Sequence, residues 1–564
     1  MKGIVKVCML NLTIILSGKI SFAQNDTQIF LSTLDSANKE YEQQNWARAA
    51  ILWERLANAN PVDGYFLEYL ASAYFKEKMY DKAIPVYKKL VELGFGVPAN
   101  RAYDIACSYS LLKDKKQALS WLQKALDMGY YYISHAQTDS DLSFIANDPA
   151  FKKLLFLEDV SKMTRTQGWL YDLDMLQWEV KRKAIKSSPD QDLPAFYASL
   201  TKLRKEIQKL TDVQIIIELM KMMRHIGDGH SNIFLPVSNP QFRKTLPIQF
   251  YLFKEGLYII SADPKYKELL GSQVLQFEKK NINDVVKALE PLNGKDNNMN
   301  ILVRLPYLMR YPVLLKTLGI ISTSDQLELK TRDIKGELKT VYIIPDTTQP
   351  DIWNIQPYPK GWVSFPETPK DSIPRYLKNN DKVFWFDYSP TDKIVYAQVN
   401  RIWNTTEESL AGFAKKLSAL INENDVEKLV IDLRGNNGGN TFSGWFFVNE
   451  LLHNDKINKK GHLFVIIGRR TFSAAQNTAT YFEHLTNAIF VGEPTGSRPN
   501  FVGDEAPVKL PFSKIEINVS GVLWQSSWGV DKRIWISPLL YTPPTFEAFK
   551  TNRDMAMEAI MAYK

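Results

Sequence analysis

The chain has 564 residues, of which 45% are apolar and 23% are charged, a composition typical of several globular domains rather than of a disordered or fibrous protein. Its two cysteines, Cys8 and Cys107, are too few for a disulfide framework or a cysteine-based zinc or iron–sulfur centre. The net charge is +8, and the first 23 residues contain three lysines and no acidic residue. The remainder therefore carries +5 over about 540 residues, which is too dilute for a nucleic-acid-binding surface.

The N-terminus has the features of a bacterial-type signal peptide. Lys2 and Lys6 precede a short apolar run from Val7 to Leu16, and Ser21-Phe22-Ala23 supplies the small residues that a signal peptidase requires. The apolar run is too short to span a bilayer. We therefore expect cleavage after residues 1–23 and a periplasmic or secreted protein without a membrane span; an uncleaved anchor or a buried first helix is the alternative.

Alanines recur at intervals of 34 and 35 residues in the region that follows. Each is preceded by another alanine twelve residues earlier and followed by a large residue four positions later. The three sets are Ala37, Ala49 and Trp53; Ala71, Ala83 and Tyr87; and Ala106, Ala118 and Leu122. Small residues allow paired helices to approach, and the pattern resembles the tetratricopeptide repeat (TPR). It predicts a helical TPR solenoid over residues 24–135 that binds a peptide or protein partner, with a plain helical bundle as the alternative.

The middle of the chain changes from helical to β-rich composition. Residues 160–240 favour helices, and the turn Ile226-Gly227-Asp228-Gly229-His230-Ser231 ends that region. Residues 245–345 contain short alternating or β-branched runs with one helix near Ile282–Leu289, which predicts a small β-rich domain. Residues 346–380 are rich in proline and polar residues and are predicted to form a connector.

The last third, residues 380–564, alternates strand and helix. The predicted order is strand Ile394–Val399, helix Glu408–Asn422, strand Leu429–Leu433, helix Phe442–Leu452, strand His462–Ile467 and helix Ala474–Leu485. Such alternation indicates βαβ units and a mainly parallel sheet, in which ligands bind at the carboxyl ends of the strands.

Two loops at strand ends carry candidate chemistry. The segment Asp432–Asn440 contains three glycines, which allow main-chain N–H groups to face a bound oxygen, but no Lys-Ser/Thr pair follows as in a phosphate loop. In the second loop, Ser473 ends a tight turn before a helix, with the N–H of Ala474 beside it. A nucleophilic serine requires this placement, and an ordinary helix N-cap serine is the alternative.

Four ordered motifs give the chain a family resemblance. They read IGDGHS, LVIDLRGNNGG, IGRRTFSAAQ and VGEPTG, within residues 226–496. Together they resemble the S41 serine peptidases, the tail-specific or C-terminal-processing proteases, including tricorn-like members. The resemblance covers roughly residues 165–564 and implies a multidomain α/β protein: a TPR solenoid, a helical cap, a small β-rich PDZ-like domain and a ClpP/crotonase-like β/α peptidase core. The other histidines, outside these motifs, show no metal-ligand spacing, so we predict no metal site and no cofactor.

The resemblance also implies roles for individual residues. Ser473 matches the nucleophile, and the N–H groups of Gly438 or Gly439 and of Ala474 match the oxyanion donors. One branch of the family uses a lysine as base, but Arg498 stands at that position here, and arginine cannot act as a base near neutral pH.

The tricorn-like branch instead uses a histidine, which His230 matches. Its orienting glutamate has no counterpart, because Ser526 stands at that position. Another acid that could serve is Asp228, Glu493, Asp504 or Asp531. Arg498 is expected either to bind a substrate carboxylate or to form an ordinary ion pair.

The sequence thus predicts an exported serine endopeptidase that cleaves polypeptides through an acyl-enzyme on Ser473, with His230 as general base. The missing glutamate and Arg498 support a second hypothesis, a catalytically silent protein that binds a peptide or apolar ligand on the same fold. An esterase that uses the same core is a third hypothesis.

Overall fold

The computed structural model describes residues 27–184, 188–237, 239–349, 359, 361–366, 373–505 and 507–564. The predicted signal peptide lies outside this part of the chain. The chain divides into two compact units: Met1–Lys162 with Lys181–Lys183, and Met163–Val180 with Ala184–Lys564. None of the described helices has the length and apolar composition needed to cross a membrane.

The N-terminal unit is helical. After a first helix that runs to residue 42, its helices are α1 (Trp46–Ala59), α2 (Gly64–Lys76), α3 (Tyr80–Leu93), α4 (Pro98–Leu111), α5 (Lys115–Asp127), α6 (Ile133–Thr138) and α7 (Pro149–Leu154). All nine residues of the alanine pattern are buried. The small side chains let consecutive helices pack closely, and the large residue one turn later fills the space between them.

The second unit begins with the predicted helical region. It contains α8 (Arg165–Lys183), α9 (Leu193–Glu206), α10 (Asp212–Met223) and the two-residue strand β1 (Asn232–Ile233). Thr211 starts α10 with a capping box shared with Gln214. A short 3₁₀ turn follows α10 and ends at Gly227, whose φ of 82° gives the left-handed conformation that stops a helix. The turn that carries His230 starts at this glycine.

The β-rich domain is antiparallel throughout. Its elements are β2 (Ile248–Phe253), β3 (Gly256–Ala262), β4 (Gln273–Phe277), β5 (Lys280–Asn281), α11 (Ile282–Leu289), α12 (Asn298–Leu308), α13 (Pro312–Thr317), β6 (Leu327–Arg332), β7 (Leu338–Ile343) and β8 (Val363–Ser364). The strand order is β2-β3-β4-β6-β7, with β5 paired to β4 and β8 paired to β3. Because β8 lies in the predicted connector, part of that connector is a strand of this domain.

A six-stranded sheet forms the centre of the last third. Its elements begin with β9 (Phe384–Ser389), β10 (Ile394–Val399), α14 (Leu410–Glu423), β11 (Lys428–Asp432), α15 (Thr441–Leu452), β12 (Leu463–Ile467), α16 (Ala474–Leu485) and β13 (Ile489–Gly492). The remaining elements are β14 (Asn500–Glu505), β15 (Val508–Lys509), β16 (Glu516–Asn518), β17 (Ser520–Gln525), β18 (Leu540–Tyr541), α17 (Phe546–Lys550) and α18 (Met555–Ala562). The strand order is β18-β13-β12-β11-β10-β9, parallel except for the β9–β10 pair.

Alternate residues of these strands face two apolar layers. Helices α14, α15 and α16 cover one face, where Phe413, Phe447 and Phe482 are buried, and α18 covers the other through Met557 and Ile560. Burial on both faces explains why each strand is an almost continuous apolar run. The carboxyl ends of β11 and β12 therefore lie side by side and present their loops at one edge.

Two small sheets, which the sequence does not predict, complete this unit. Strand β14 pairs with β17 in an antiparallel ribbon, and β1 pairs with β16, which also pairs with β15. Through these pairings the turn that carries His230 is held against the C-terminal part of the chain.

Candidate active site

Ser473 occupies the turn between β12 and α16 in a strained conformation. Its φ of 54° and ψ of −129° are unusual for a residue with a side chain, and its hydroxyl makes no capping hydrogen bond to α16. A conformation of this kind costs about 1–3 kcal/mol, which the surrounding structure must offset. The helix-cap alternative is therefore wrong: Ser473 stands at the N-cap position without capping, and its hydroxyl makes no hydrogen bond to the described residues.

The turn is held in place by buried hydrogen bonds to the neighbouring strand end. Thr471 Oγ1 donates to the carbonyl oxygen of Leu433 at 2.9 Å and accepts from Gly468 N at 3.0 Å. The N–H of Phe472 donates to the carbonyl oxygen of Asn436 at 3.2 Å. These bonds fix the main chain on both sides of the β11–β12 edge, so Ser473 is positioned by the glycine-rich loop beside it.

Gly438 must be glycine for two reasons. Its φ is 117°, and a Cβ built on it would lie 2.7 Å from Ser473 Cβ and 3.0 Å from Ala474 N. A side chain there would displace the serine. The loop itself is braced by the fully buried Asn436, whose Oδ1 accepts from Gly438 N at 2.8 Å and whose Nδ2 donates to Val399 O at 2.8 Å.

The two predicted oxyanion glycines differ in the state of their N–H groups. The Gly438 N–H is already donated to Asn436, whereas the Gly439 N–H has no hydrogen-bond partner in the described chain. Gly439 is held at φ 141° by bonds of its neighbours, because Ile402 N donates to Gly438 O and Asn440 N donates to Ile402 O. The Ala474 N–H, in the first turn of α16, is likewise without a described partner. Of the glycines, Gly439 is thus the one with an N–H free to bind an oxyanion.

His230 lies in a turn organised by two buried carboxylates. Asp228 Oδ1 accepts from the backbone N–H of His230 at 2.8 Å, and Asp228 Oδ2 accepts from the Ser231 hydroxyl at 2.7 Å. Asp296, in the loop before α12, accepts from Gly229 N at 2.8 Å and from the Ser497 hydroxyl. The turn is therefore tied to the segment that contains Ser497 and Arg498.

The imidazole of His230 is sandwiched between two phenyl rings. Its ring centroid is 4.4 Å from that of Phe472 and 5.3 Å from that of Phe501, both stacked. A Cβ at Gly503 would lie 3.3 Å from His230 Cε1, so the lack of a side chain there makes room for the ring. The residue is 5% exposed, and neither ring nitrogen has a hydrogen-bond partner of suitable geometry in the described chain.

This environment keeps the imidazole neutral. Burial, and secondarily the positive charge of Arg304, lowers the pKa of His230 to about 3, and the backbone of Val502 opposes the shift. A neutral ring can accept a proton only if its charged form gains a stabilising contact that the unliganded structure lacks.

Ser473 and His230 share one cavity but form no hydrogen bond. Both line a cavity of about 570 Å³, within the size range of ligand-binding pockets, and Phe472, which stacks on the imidazole, directly precedes Ser473. The ring nitrogens are buried and unpartnered in the described chain, so a serine–histidine hydrogen bond requires a movement of the Ser473 side chain, of the imidazole or of the rings stacked on it. Catalytic hydrogen bonds are often long or absent without substrate.

No carboxylate contacts the His230 ring within the described residues. Of the four candidate acids, Asp228 binds the turn's backbone, Glu493 forms a buried ion pair with Arg469, and Asp531 pairs with Arg533. Asp504 lines the same cavity as His230 and follows Gly503, which packs against the ring. It is the one acid of the four that lines this cavity.

Two other predicted positions lie away from the imidazole. Ser526, at the place of the family's glutamate, contacts Asn477 Oδ1 at 2.9 Å, one helical turn beyond Ser473. Arg498 is buried and forms an ion pair with Asp190 at 2.6 Å, and it is absent from the cavity lining. The ion-pair expectation for Arg498 therefore agrees with the geometry, and the substrate-clamp expectation does not.

Sequence reasoning assigned no role to Asn436, Asp296 and Phe501. Asn436 lies inside the glycine-rich motif, and its position between Gly435 and the Asn437-Gly438-Gly439 turn was the available signal. Asp296 and Phe501 reach the site only through tertiary contacts with Gly229 and His230, and no local pattern marks them.

The comparisons with known proteins agree with this architecture. Residues 393–459 match the model of peptidase family S41, and residues 70–93 match the model of a tetratricopeptide repeat. No curated protein sequence matches the chain.

Among solved structures, mature CPAF complexed with lactacystin aligns with a TM-score of 0.50 at 14% identity, over 70% of this chain and 97% of that one. Mature CPAF alone gives 0.49 and 13%, over 70% and 96%. The photosystem II D1 C-terminal processing protease gives 0.34 and 14%, over 71% and 97%. The match at a TM-score of 0.50 shows a shared fold, and the family-model match confirms the S41 resemblance over residues 393–459.

Proposed function

We propose that the chain is an S41-type serine peptidase that hydrolyses polypeptides through an acyl-enzyme on Ser473; the matches of residues 393–459 to the S41 family model and of residues 70–93 to a tetratricopeptide-repeat model support this. The observation that carries the proposal is the conformation of Ser473. A serine that stands at an N-cap position, is strained and makes no cap serves no stabilising purpose there. The same placement is required of a nucleophile at a strand-to-helix turn.

The main chain around Ser473 supplies the second requirement. When Ser473 Oγ attacks a peptide carbonyl, negative charge develops on the carbonyl oxygen. The N–H groups of Gly439 and Ala474 are without described partners and belong to the two loops that meet at Ser473. Preorganised donors of this kind stabilise a tetrahedral intermediate, and each contributes roughly 10²–10³-fold in rate.

His230 is the proposed general base. It would take the Ser473 proton during attack, donate it to the leaving amine and then assist water in the hydrolysis of the ester. Because its pKa is lowered to about 3 by burial, substrate binding must move the ring or bring a polar group to it. Asp504, in the same cavity, is the proposed partner for the charged imidazole.

The enclosed imidazole also favours a second candidate function. If the ring keeps its position between Phe472 and Phe501, in which its nitrogens bond none of the described residues, it does not take the Ser473 proton, and the protein binds peptides without cleaving them.

Labelling with a fluorophosphonate probe tests the proposal, because the probe reacts with activated serine hydroxyls and releases fluoride. We expect wild-type protein to be labelled and Ser473→Ala to be unlabelled. Ser409→Ala is the matched control, since Ser409 also stands at a helix N-cap but its hydroxyl is engaged by Gly412 N at 3.0 Å. Equal labelling of wild type and Ser473→Ala would refute Ser473 as nucleophile, and absence of labelling in both would favour the binding protein.

We also propose that the repeats recruit polypeptide.

We further propose that the protein is exported and that its leader is cleaved after residue 23. The charged start and short apolar run of residues 1–23 support export. N-terminal sequencing of the protein after expression with its leader tests it; we expect Gln24 as the first residue, and retention of Met1 would contradict export by cleavage.

A further inference from the structure

Three aromatic side chains border the proposed catalytic cavity, and two of them are exposed while the third, Trp524, is half-buried. Trp403, Phe442 and Trp524, together called the aromatic rim, line the cavity that contains Ser473 and His230. Trp403 is 55% exposed and Phe442 is 67% exposed. The Phe442 and Trp524 rings meet edge to face, with centroids 6.3 Å apart.

The rim is assembled from elements that are distant in sequence. Trp403 lies between β10 and α14, next to Ile402, which holds the Gly439 loop. Phe442 is in the first turn of α15, and Trp524 is on β17, directly opposite Phe501 of β14. Phe501 in turn stacks on His230. The rim is therefore continuous with both proposed catalytic residues, through the Gly439 loop on one side and Phe501 on the other.

The other residues of the cavity wall indicate which kind of substrate side chain the cavity accepts. Besides the aromatic residues, the wall combines six aliphatic residues, Met220, Ile233, Leu235, Leu292, Val303 and Leu308, with five asparagines, Asn232, Asn293, Asn300, Asn437 and Asn440. The described lining contains one arginine and one aspartate, Arg304 and Asp504, so charge of neither sign predominates. Large exposed aromatic groups beside such a cavity are typical of a binding surface for apolar groups.

We propose that the aromatic rim selects polypeptide segments with aromatic or large aliphatic side chains next to the bond presented to Ser473. This inference rests on the proposed function and narrows its substrate class. An extended segment of an unfolded protein presents such side chains together with a free main chain.

The test compares two internally quenched peptides of equal length, one with leucine and phenylalanine around the cleavage region and one with serine and asparagine there. We expect Phe442→Ala and Trp403→Ala to lower kcat/KM for the apolar peptide about 10-fold and to leave the polar peptide within about twofold. Phe446→Ala is the matched control, because Phe446 is on the same helix, is 58% exposed and does not line the cavity. Equal losses on both peptides, or a loss in Phe446→Ala as large as in Phe442→Ala, would overturn the proposal.

A binding measurement separates failure of the rim from failure of catalysis. In the Ser473→Ala background, fluorescence anisotropy of the labelled apolar peptide should show a Kd about 10-fold higher when Phe442→Ala is added. Cleavage by Ser473→Ala would refute the proposed nucleophile without affecting this comparison. A Kd that Phe442→Ala leaves unchanged would refute peptide selection by the aromatic rim. A second contrary result would be a concentration-dependent dimer in sedimentation that Phe442→Ala abolishes without any effect on peptide binding. The rim would then be a contact with a second copy of the chain.

Discussion

Two helices that pack on the same face of the central sheet begin at a serine, and the two serines behave differently. Ser409 starts α14 with φ −79° and ψ 153°, and its hydroxyl accepts from Gly412 N. Ser473 starts α16 with φ 54° and ψ −129°, and its hydroxyl caps nothing. Both helices contribute buried residues to the same core, so the packing of the helix does not account for the difference.

The difference arises from what lies against each serine. Ser473 is pressed against the glycine-rich loop, with Gly438 close to its Cβ, while its preceding residue stacks on His230. Ser409 adopts the ordinary extended conformation of an N-cap, with its hydroxyl bonded to Gly412 N. The Ser409 junction therefore stabilises the fold. The Ser473 junction is strained and lowers stability, and it leaves a hydroxyl and two N–H groups available.

The largest effect is expected from Gly438→Ala. The new Cβ would meet Ser473 Cβ at 2.7 Å, so Ser473 or the Gly439 N–H must shift, and fluorophosphonate labelling should slow on the order of 10²–10³-fold. Gly336→Ala is the control, because Gly336 also has a positive φ of 89° but nothing within 4 Å of an added Cβ. The Gly336→Ala control should lose stability from backbone strain while its labelling remains normal. Normal labelling of Gly438→Ala would contradict the prediction, because Ser473 would then tolerate the displacement.

A smaller loss of activity is expected from Asn436→Ala. The change leaves the buried Val399 carbonyl oxygen without its donor and frees the Gly438 N–H, so labelling should fall roughly 10–100-fold and stability by about 1–3 kcal/mol. Asn454→Ala is the control, since Asn454 is also buried and bonds Lys456 N and Asn422 away from Ser473. Equal losses of labelling in both variants would contradict the prediction, because Asn436 would then matter only for the stability of the fold.

Acidification should destabilise the folded protein through His230. The pKa of His230 is about 3 when folded, against 6.5 for an unperturbed histidine, so between those values the unfolded chain binds a proton that the folded chain does not. Stability should fall as the pH drops through this window, by up to about 1.4 kcal/mol per pH unit. His230→Phe keeps the ring stacking and should flatten this dependence in urea unfolding between pH 7 and pH 4.5; an unchanged slope would show that the ring is solvated.

Asp296 makes the opposite contribution to the pH dependence of the folding stability. Burial, reinforced by the nearby Asp228, raises the pKa of Asp296 to about 6, against opposing contributions from Ser497, Gly229 and Arg498. The folded chain then holds a proton that the unfolded chain releases between about pH 6 and pH 4, and acidification through that window is stabilising. Asp296→Asn should therefore steepen the acid-induced loss of stability that His230→Phe flattens.

The smallest effects concern the two serines themselves. Ser409→Ala should lower the free energy of unfolding by about 1 kcal/mol, because the α14 cap is lost. Ser473→Gly should leave it unchanged or raise it by up to about 1 kcal/mol, because glycine adopts the strained conformation readily. Chemical denaturation of both variants measures this contrast, and a loss in Ser473→Gly as large as in Ser409→Ala would mean that Ser473 is not strained.

Much of the fold could be predicted because its signals are local. The helix Ala474–Leu485 and the strand Ile394–Val399 have the predicted bounds, since a strand buried on both faces is an apolar run and a helix on the sheet has an apolar stripe. The ribbon of β14 and β17 was not predicted. Its paired residues lie 15 to 25 positions apart in the chain, and its burial depends on the elements that pack against it.

By itself the sequence determined the order of strands and helices, the alanine spacing of the repeats and the four motifs that bring Ser473, the glycine-rich loop and His230 into one family pattern. The strands and helices follow from steric preference and apolar periodicity among near neighbours, whereas the repeat spacing and the motifs can be read directly along the chain. The tertiary structure decided that Ser473 does not cap its helix, that Gly438 and Gly439 differ in their N–H groups, and that His230 is stacked between Phe472 and Phe501 without a carboxylate partner on its ring. Those properties depend on burial and on contacts between residues far apart in the chain, which set hydrogen bonding, strain and pKa.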